Sequence, residues 1–285
     1  MPDFDKISIP ARHPNFFILG AAKSGTTSLH HYLKQHPQIF MSEVKEPSFF
    51  CETFQQINSP KEYFGLFDGV EKEKVIGEAS HVYLTDPKSP ELLKKHFPDA
   101  RFLISLRNPA ERAFSLYLDM RNHRWETART FSKALRLEPS RMDSDEFKWN
   151  NPQYFYNFLY YHSGLYGQQL QRYFSLFDKS QFHIIKLDDL HIDFDHAISS
   201  IFKFLEVDPS VLPEERLYNK TFGVRSHSLQ NLLEWTLPES SFKRSLIRHT
   251  YSKKPVLDIS LKRELMERYQ KDQELLFSLC GIRFN

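Results

Sequence analysis

Residues 16–29 read FFILGAAKSGTTSL, and this segment fixes the expected architecture. An apolar run ends at Gly20, a short loop of small residues contains Lys23, and hydroxyl residues then open a helical pattern. This order predicts a buried strand, an anion-binding loop and a helix N-terminus, where backbone N–H groups have no intrahelical partner and carry partial positive charge. A phosphate or sulfate group is the ligand that such a terminus favours.

The position of the lysine decides between classes of anion-binding loop. A nucleoside triphosphate P-loop reads G-x-x-x-x-G-K-[ST], with the lysine directly after the second glycine. Gly20 and Gly25 have this separation, but Thr26 follows Gly25, and Lys23 comes two residues before it. The segment resembles the 5′-phosphosulfate loop of sulfotransferases, which use 3′-phosphoadenosine 5′-phosphosulfate (PAPS). Taken alone, it is also explained as an ordinary βα turn that contains lysine and threonine.

A second segment, LISLRNPAERAFSLY at residues 103–117, places an arginine just after a predicted strand. Open α/β sheets bind ligands beside the carboxyl ends of their strands, and arginine provides a forked, permanently charged set of donors. Arg107 precedes Ser115 by eight residues, as in the 3′-phosphate motif of sulfotransferases. A capped helix whose Arg112 and Ser115 bond locally is the alternative. Both motifs in order favour the sulfotransferase family.

Three further segments extend the resemblance over nearly the whole chain. KEPSFF at residues 45–50 resembles the glycosaminoglycan-type motif Lys-Glu-Pro-x-Phe-Phe, and GEASHVY at residues 77–83 resembles the acidic segment after the second strand. YNKTFG at residues 218–223 resembles the late cofactor loop. In the glycosaminoglycan branch this loop has a lysine directly before the glycine, where this chain has Phe222. Lys220 and Arg225 are therefore the two candidates for supplying the positive charge that this lysine provides.

The resemblance implies that PAPS is the sulfuryl donor and its desulfated form, PAP, the product. Lys23 would stabilise the bridging oxygen, Arg107 and Ser115 would hold the 3′-phosphate, and Ser115 would restrain the lysine until the acceptor binds. The residues implied for cofactor binding are Lys23, Ser24, Gly25, Thr26, Thr27, Ser28, Arg107, Ser115, Lys220, Thr221, Phe222, Gly223 and Arg225. The terminal sulfate carries less charge than a γ-phosphate, and arginine follows Leu106 where a metal ligand would stand, so we expect no metal.

The residue that accepts the proton of the acceptor stays open among Glu46, His81 and His123. The Lys-Glu-Pro context favours Glu46, whereas a lone histidine is more often structural. The residues expected to contact the acceptor are Glu46, Glu78, Ser80 and His81. For Glu78, a role in orienting the loop lysine or the acceptor is the preferred interpretation.

Strands alternate with helices along the chain. Predicted strands cover Phe16–Leu19, Val75–Glu78, Arg101–Leu106 and Phe182–Leu187. Predicted helices cover Thr26–Gln35, Glu91–His96, a segment starting at Asn108-Pro109, Leu165–Phe177, Phe194–Leu205 and Leu261–Leu279. This order predicts an α/β fold with a P-loop-like central parallel β-sheet flanked by helices on both faces. Because the motifs run from residue 20 to about 225, we expect one sulfotransferase domain over residues 1–285, with residues 125–160 an insertion or lid.

Composition excludes several function classes. The 285 residues are 40% hydrophobic and 26% charged, and a formal net charge of +2 is too small to indicate nucleic-acid binding. The cysteines Cys51 and Cys280 imply no disulfide framework. The chain has no run of 18 apolar residues and no apolar signal-peptide region, so we expect no membrane span and a cytoplasmic location.

The identity of the acceptor is open. The glycosaminoglycan-type motifs suggest a sugar hydroxyl, whereas an aromatic content of 15% and the mild charge favour a smaller or partly apolar acceptor. O-sulfation and N-sulfation are both compatible with the motifs. A basic cluster could bind a longer anionic chain or form a solvated face: Lys243, Arg244, Arg248, Lys253 and Lys254. Nothing in the sequence indicates the oligomeric state.

Two other classes of function compete with a sulfotransferase. A nucleotide kinase-like enzyme is disfavoured because the Gly-Lys-Thr order is missing. A non-catalytic anion-binding or scaffold protein that kept the fold is disfavoured because all four residues expected to carry the chemistry are present: Lys23, Glu46, Arg107 and Ser115.

Overall fold

A five-stranded sheet forms the centre of the computed structural model, which describes residues 4–151, 153–216, 223–224, 240, 246 and 251–285. Its strands are β1 (Phe16–Gly20), β2 (Ile39–Met41), β3 (Val75–Ala79), β4 (Arg101–Leu106) and β5 (Phe182–Lys186). They lie in the order β2-β3-β1-β4-β5, and all four pairs are parallel. A separate antiparallel ribbon pairs β6 (Gly223–Val224) with β7 (Tyr251–Ser252). The prediction of a parallel central sheet is confirmed.

Helices connect the strands and cover the sheet. Among the described residues they are α1 (Thr26–Leu33), α2 (Pro60–Gly65), α3 (Val82–Thr85), α4 (Ser89–His96), α5 (Pro109–Asn122), α6 (Phe131–Met142), α7 (Asp145–Trp149), α8 (Tyr166–Phe174), α9 (Leu187–Ile192), α10 (Phe194–Leu205) and α11 (Ile259–Cys280). No helix in this part of the chain has both the length and the apolar character that crossing a membrane requires.

The alternation of side chains along β1 explains why both faces of the sheet are covered. All five residues of β1 are buried, and successive side chains of a strand point to opposite faces. Phe16 and Ile18 pack in a core with side chains of α1 and α10, whereas Phe17 and Leu19 pack in a second core with those of α2, α3, α4 and α8. The apolar run therefore belongs to a strand buried on both sides, as a parallel sheet requires.

The strand order determines where the polar loops meet. Because β1 lies between β3 and β4, the loop containing Lys23, the segment Ser80-His81 and Arg107 all leave the carboxyl edge of the sheet from neighbouring strands. The edge strand β2, which the sequence pattern does not predict because it has only three residues, sends the chain toward Glu46 at the same edge. This edge is where open α/β sheets bind ligands.

Residues 125–160, expected to be an insertion or lid with some helix, contain α6 and α7 and pack against α5. Phe131 is buried in a third core together with side chains of α5, and Arg141 forms a buried ion pair with Glu126 at 2.8 Å. Pro139 lies inside α6, although proline usually interrupts a helix, and this is why the pattern suggested irregular structure. The single-domain organisation stays a prediction.

Candidate active site

A cleft of about 580 Å³ opens at the carboxyl edge of the sheet. It is lined by most of the residues that the sequence singles out: Lys23, Gly25, Thr26, Thr27, Ser28, Glu46, His81, Arg107, Ser115 and His123. A smaller cavity of about 200 Å³, beside Phe16, Val75 and Arg101 at the amino ends of the strands, contains none of them. The two phosphate motifs and the three candidate bases therefore share one site.

The anion loop is held in shape by its backbone. Gly25 has φ +84° and precedes α1, and a Cβ there would lie 2.6 Å from Leu187 Cδ1, so the position requires glycine. No side chain caps the N-terminus of α1, which leaves its first amides facing the cleft for a ligand. Ser105 of β4 anchors the loop by donating its hydroxyl to Ser24 O at 2.6 Å. Ser24 is fully buried and does not line the cleft, and its amide donates to Ala21 O at 3.2 Å, so the structure does not bring this predicted cofactor residue to the site.

Lys23 points into the cleft but has a counter-ion there. Its Nζ lies 2.8 Å from Oδ1 of Asp119, on the third turn of α5. The resemblance implied that Ser115 would restrain this lysine. Ser115 lines the same cleft one turn earlier, but the ion pair is with Asp119.

Arg107 is positioned by α5 and α8. The helix α5 begins where the sequence predicts it, since Asn108 caps it by accepting hydrogen bonds from two amides of its first turn, and the Tyr166 hydroxyl donates to Arg107 O at 3.1 Å. The guanidinium lies 3.0 Å from Glu111 Oε2, and Lys262 contacts the other oxygen of that carboxylate at 2.9 Å. Arg107 is therefore held at the cleft by an internal anion rather than pointing freely into solvent.

Glu46 and His81 form a hydrogen-bonded pair. Glu46 Oε2 accepts from the His81 backbone amide at 2.7 Å and lies 2.8 Å from His81 Nδ1, while Lys45 contacts Oε1. The other ring nitrogen, Nε2, lies 3.2 Å from Asn157 Oδ1. Burial alone would raise the pKa of Glu46, but its electrostatic interactions with His81 and Lys45 and the hydrogen bonds from both outweigh it and hold the pKa well below its ordinary value. Glu46 is thus a carboxylate at neutral pH, with each oxygen engaged.

Glu78 and Ser80, expected to contact the acceptor, are fully buried and do not line the cleft. Glu78 Oε1 accepts from the hydroxyls of Tyr63 and Tyr83 at 3.1 and 2.8 Å, and Oε2 accepts from Ser80 at 2.7 Å. Ser80 in turn accepts from the Ser48 amide at 3.0 Å. These residues support the Glu46 loop from behind, and the predicted role of Glu78 in orienting the loop lysine or the acceptor stays a prediction.

Replacing Glu78 by glutamine should flatten the pH dependence of stability. Burial raises the pKa of Glu78 to about 7, against the hydrogen bonds from Ser80, Tyr83 and Tyr63, and the nearby Glu46 charge adds to the rise. The folded state therefore holds a proton that the unfolded chain loses near 4.5, so this stabilisation is complete below that pH and is lost as the pH rises through 7. Between pH 5 and 8 the loss amounts to about 2–3 kcal/mol of unfolding free energy.

Urea unfolding of Glu78→Gln at pH 5 and pH 8 tests this expectation. Glu91→Gln is the matched control, because Glu91 is 64% exposed and pairs only loosely with Lys88. The control should keep the pH dependence of the parent, and Glu78→Gln should lose most of it. An unchanged pH dependence in Glu78→Gln would mean that the carboxyl is ionised throughout.

His123 lies at the end of α5 and is exposed at the rim of the cleft. Its ring stacks on Trp125 with centroids 4.7 Å apart, and its Nδ1 lies 2.9 Å from Asp119 O. No carboxylate orients its ring among the described contacts. The geometry therefore favours His81 over His123 as a partner in proton transfer.

Part of the expected cofactor set and of the basic cluster lies outside the described residues: Lys220, Thr221, Phe222 and Arg225, and Lys243, Arg244 and Arg248. Gly223 is described through its backbone, which pairs with Ser252. Lys254 follows this ribbon. Partial burial lowers its pKa, and the positive charges of Arg107 and Lys23 lower it further.

Sequence reasoning assigns no role to ten residues of the cleft wall, and the polar or aromatic ones among them are Lys45, Asp119, Trp125, Gln153, Asn157 and His191. Asp119 comes four residues after Ser115, and side chains at this spacing share a helix face, so a signal was present. Lys45 stands beside Glu46 in the quoted motif. Asn157 falls in the stretch without a clear period, where no pattern indicates which side chains face inward.

No group of three or more His, Cys, Asp or Glu side chains in the described part of the chain is placed to hold a metal ion. The cleft carboxylates are engaged by cations of the protein instead, as in the pairs of Asp119 with Lys23 and Glu46 with Lys45. The metal-free reaction stays a prediction.

Known proteins share this sequence pattern and fold. The crystal structure of a sulfotransferase from Alicyclobacillus acidocaldarius superposes with a TM-score of 0.74, at 28% identity, over 96% of this chain and 97% of that one. Carbohydrate sulfotransferase 15 from Homo sapiens is 27% identical over 260 residues, which cover 73% of this chain and 46% of that protein.

The membrane-associated sulfotransferase kil1 from Dictyostelium discoideum is 36% identical over 105 residues, which cover 36% of this chain and 22% of that protein. This chain thus spans less than half the length of either of these two relatives. The sequence profile of the sulfotransferase domain matches residues 13–273. The profile includes both phosphate motifs, the Glu46 segment and most of α11, and on this match the chain belongs to the sulfotransferase family of enzymes.

Proposed function

We propose that this chain transfers the sulfuryl group of PAPS to a hydroxyl or amine of a small-molecule or carbohydrate acceptor and releases PAP. The observation that carries the proposal is that two phosphate motifs, from β1 and from β4, open into one cleft. PAP carries phosphates at both its 5′ and 3′ positions and therefore needs two positive sites. Lys23 and the first amides of α1 suit the first, and Arg107 with Ser115 suits the second.

Transfer is a direct displacement in this proposal. The acceptor oxygen or nitrogen attacks sulfur, the bond between sulfur and the bridging oxygen breaks, and the electron pair leaves on that oxygen as part of PAP. As in phosphoryl transfer, a loose transition state leaves the protein to position the reactants and to stabilise charge. Lys23 neutralises the negative charge that develops on the bridging oxygen, while Thr26, Thr27 and Ser28 provide amide and hydroxyl donors around the phosphosulfate.

The Glu46–His81 pair removes the proton of the acceptor. Glu46 is ionised and oriented toward His81 by two hydrogen bonds, the arrangement by which a carboxylate fixes the orientation of a histidine base. The proton is transferred to this pair. Its removal lowers the free energy of the transition state, because the acceptor becomes a stronger nucleophile. Whether the carboxylate or the imidazole receives the proton is decided by the variants described in the Discussion.

The acceptor proposed is a single small molecule or one sugar unit. A cleft of about 580 Å³ is of the size that binds small ligands, and Trp125 adds an aromatic surface to its wall. The name of the relative carbohydrate sulfotransferase 15 supports a sugar. A cytoplasmic location stays a prediction, since another relative is named as membrane-associated. A screen of acceptor extracts with radiolabelled PAPS, followed by mass identification of the labelled product, would identify the acceptor.

Calorimetric titration with PAP tests the proposed donor directly. We expect saturable binding of PAP to the folded chain in buffer that contains EDTA. ATP with Mg²⁺ is the comparison, because a nucleotide kinase-like protein would bind it more tightly than PAP. Binding of PAP without any transfer of label to an extract would favour the non-catalytic anion-binding alternative. Absence of PAP binding would overturn the proposal.

Replacing Arg107 by alanine should weaken PAP binding by about 10–100-fold, because a charged donor to a phosphate is lost. The loss should be specific to the 3′-phosphate, so binding of adenosine 5′-phosphosulfate, which lacks that group, should change far less. Calorimetry with both nucleotides measures the difference. Arg283→Ala is the matched control, since Arg283 is exposed and packs over Phe277 on α11. Equal losses for both nucleotides would place Arg107 elsewhere than at the 3′-phosphate.

A further inference from the structure

The ring of His81 lies between two polar side chains of the cleft wall. On one side, Oε2 of Glu46 lies 2.8 Å from Nδ1. Because Glu46 is ionised at neutral pH, its carboxylate can only accept, and Nδ1 must carry the hydrogen of this contact. On the other side, the Asn157 side chain lies 3.2 Å from Nε2. Whether Nε2 also carries a hydrogen therefore depends on which end of the Asn157 amide faces it.

The neighbours of Asn157 decide the direction of its amide. The backbone N–H of Tyr154, which can only donate, lies 3.3 Å from Oε1 of Gln153 and identifies that atom as the oxygen. Asn157 therefore turns its Nδ2 toward Gln153 Oε1, at 3.5 Å, and its Oδ1 toward His81. An amide oxygen cannot donate, so Nε2 supplies the hydrogen. Both ring nitrogens then donate, which is the pattern of an imidazolium.

The packing of the chain around Asn157 holds its amide in this place. Asn157 lies in the 3₁₀ turn Phe155–Phe158, and it is only 4% exposed although it lines the cleft. The two phenylalanines that bound the turn are buried, and the ring of Phe147 packs edge-on against both, with centroids 6.1 and 5.5 Å apart. A side chain mounted on a buried turn keeps its orientation, so the contact with His81 is part of the folded structure.

We infer that Asn157 is a positioning residue that keeps both nitrogens of the His81 ring donating, so that the ring is a cationic support for Glu46 and not the base. The inference rests on the proposed function. A ring without a free lone pair cannot take the proton of the acceptor. As the acceptor attacks sulfur, its O–H or N–H bond breaks and the hydrogen passes to the Glu46 carboxylate. Lys45 and the ring then face one carboxylate, which leaves a net positive charge that suits a cleft for an anionic donor.

Nitrogen-15 NMR of the histidine ring tests the number of hydrogens without nucleotide or acceptor. In the parent chain at neutral pH we expect a bonded hydrogen on both nitrogens of His81, whose signals are identified by their loss in His81→Asn. Asn157→Leu removes the acceptor and should lose the hydrogen on Nε2, whereas Asn157→Asp keeps an oxygen there and should retain both. A bare ring nitrogen in the parent, or an unchanged ring in folded Asn157→Leu, would overturn the inference. The parent spectrum decides the matter even where Asn157→Leu fails to fold.

Steady-state transfer separates a positioning role for Asn157 from direct binding of the acceptor. Asn157→Leu should lower kcat about tenfold and leave the acceptor KM within about twofold, because a hydrogen bond to a charged group is lost. Asn157→Asp should recover most of the rate. In a His81→Asn background, Asn157→Leu should add no further loss, since the two residues act through one contact. A rise in KM alone, or multiplied losses in the double variant, would instead place Asn157 against the acceptor.

Gln270→Leu is the matched control for loss of an amide. Gln270 is exposed on α11, donates to Glu274 at 3.2 Å and does not line the cleft, so its replacement should leave the ring signals and kcat unchanged. Failure of the proposed function gives a different result. If the parent neither binds PAP nor transfers label, the proposed function fails whatever the ring shows. If the parent transfers the sulfuryl group but a nitrogen of His81 is bare, the role of Asn157 is wrong and the function stands.

Discussion

Lys23→Met is expected to reduce sulfuryl transfer by about 10²–10³-fold while the chain keeps its fold. Methionine retains the unbranched stem of lysine but cannot neutralise the charge that forms on the bridging oxygen as the sulfur–oxygen bond breaks. That charge is small in bound PAPS and large in the transition state, so the loss should fall mainly on kcat rather than on PAP affinity. Steady-state transfer to the identified acceptor, together with PAP calorimetry, separates the two effects.

Two further variants make the Lys23 experiment specific. Lys34→Met is the matched control, because Lys34 lies just after α1, is exposed and pairs with Glu43 at 2.6 Å outside the cleft. It should keep near-parental activity. Lys23→Arg keeps the charge but moves it on a longer, forked side chain, and it should recover only part of the rate. Near-parental transfer by Lys23→Met would remove this lysine from the chemistry, whatever its place in the cleft.

The sequence predicts the sheet well because burial leaves a clear pattern in it. Four of the five strands of the central sheet are apolar runs, or nearly so, that end at polar loops, and their predicted bounds differ from the observed ones by one residue at most. The strand β2 is not predicted, because its three residues are too few to show a recognisable hydrophobic pattern. Some helix was expected in the stretch that contains α6, but its bounds were not predicted, because Pro139 suggests an interruption although Phe131 and its neighbours bury an apolar face against α5.

Site residues that come directly after a predicted strand could be placed from the sequence, whereas contacts that depend on how helices pack could not. Lys23 and Arg107 follow predicted strands directly, so their meeting at one edge could be inferred from the sequence. The pairing of Lys23 with Asp119 requires knowing how α5 lies against the loop, and the contact of His81 with Asn157 joins segments 76 residues apart. Local spacing contains no information on either distance, which is set by how the helices pack on the sheet.

Glu46→Gln is expected to lower kcat by about 10²–10⁴-fold, the range typical for loss of a general base. Glutamine preserves the size of the side chain but cannot accept a proton, and it leaves Lys45 and His81 without their shared anion. Because the pKa of Glu46 is held below its ordinary value, the carboxylate is ionised throughout the neutral range, and its electrostatic contribution to stability is lost only as the pH falls well below 4.5. Glu46→Gln gives up that contribution at neutral pH as well, so transfer is assayed well below the melting temperature of the variant, and the melting temperature measured alongside separates loss of the base from loss of the fold.

His81→Asn and the double variant decide how the Glu46–His81 pair works. If the two residues act as one unit, the double variant should be no slower than the slower single variant, because either substitution already disables the pair. Multiplied losses would instead indicate two independent roles. The acid limb of the pH–kcat profile follows the group that takes the proton, so its loss in His81→Asn, with residual activity retained, would assign the proton to the imidazole. His123→Asn completes the set: that ring is held by Asp119 O and Trp125 at the rim, and we expect a change of less than about threefold, whereas a loss as large as that of Glu46→Gln would reassign the base.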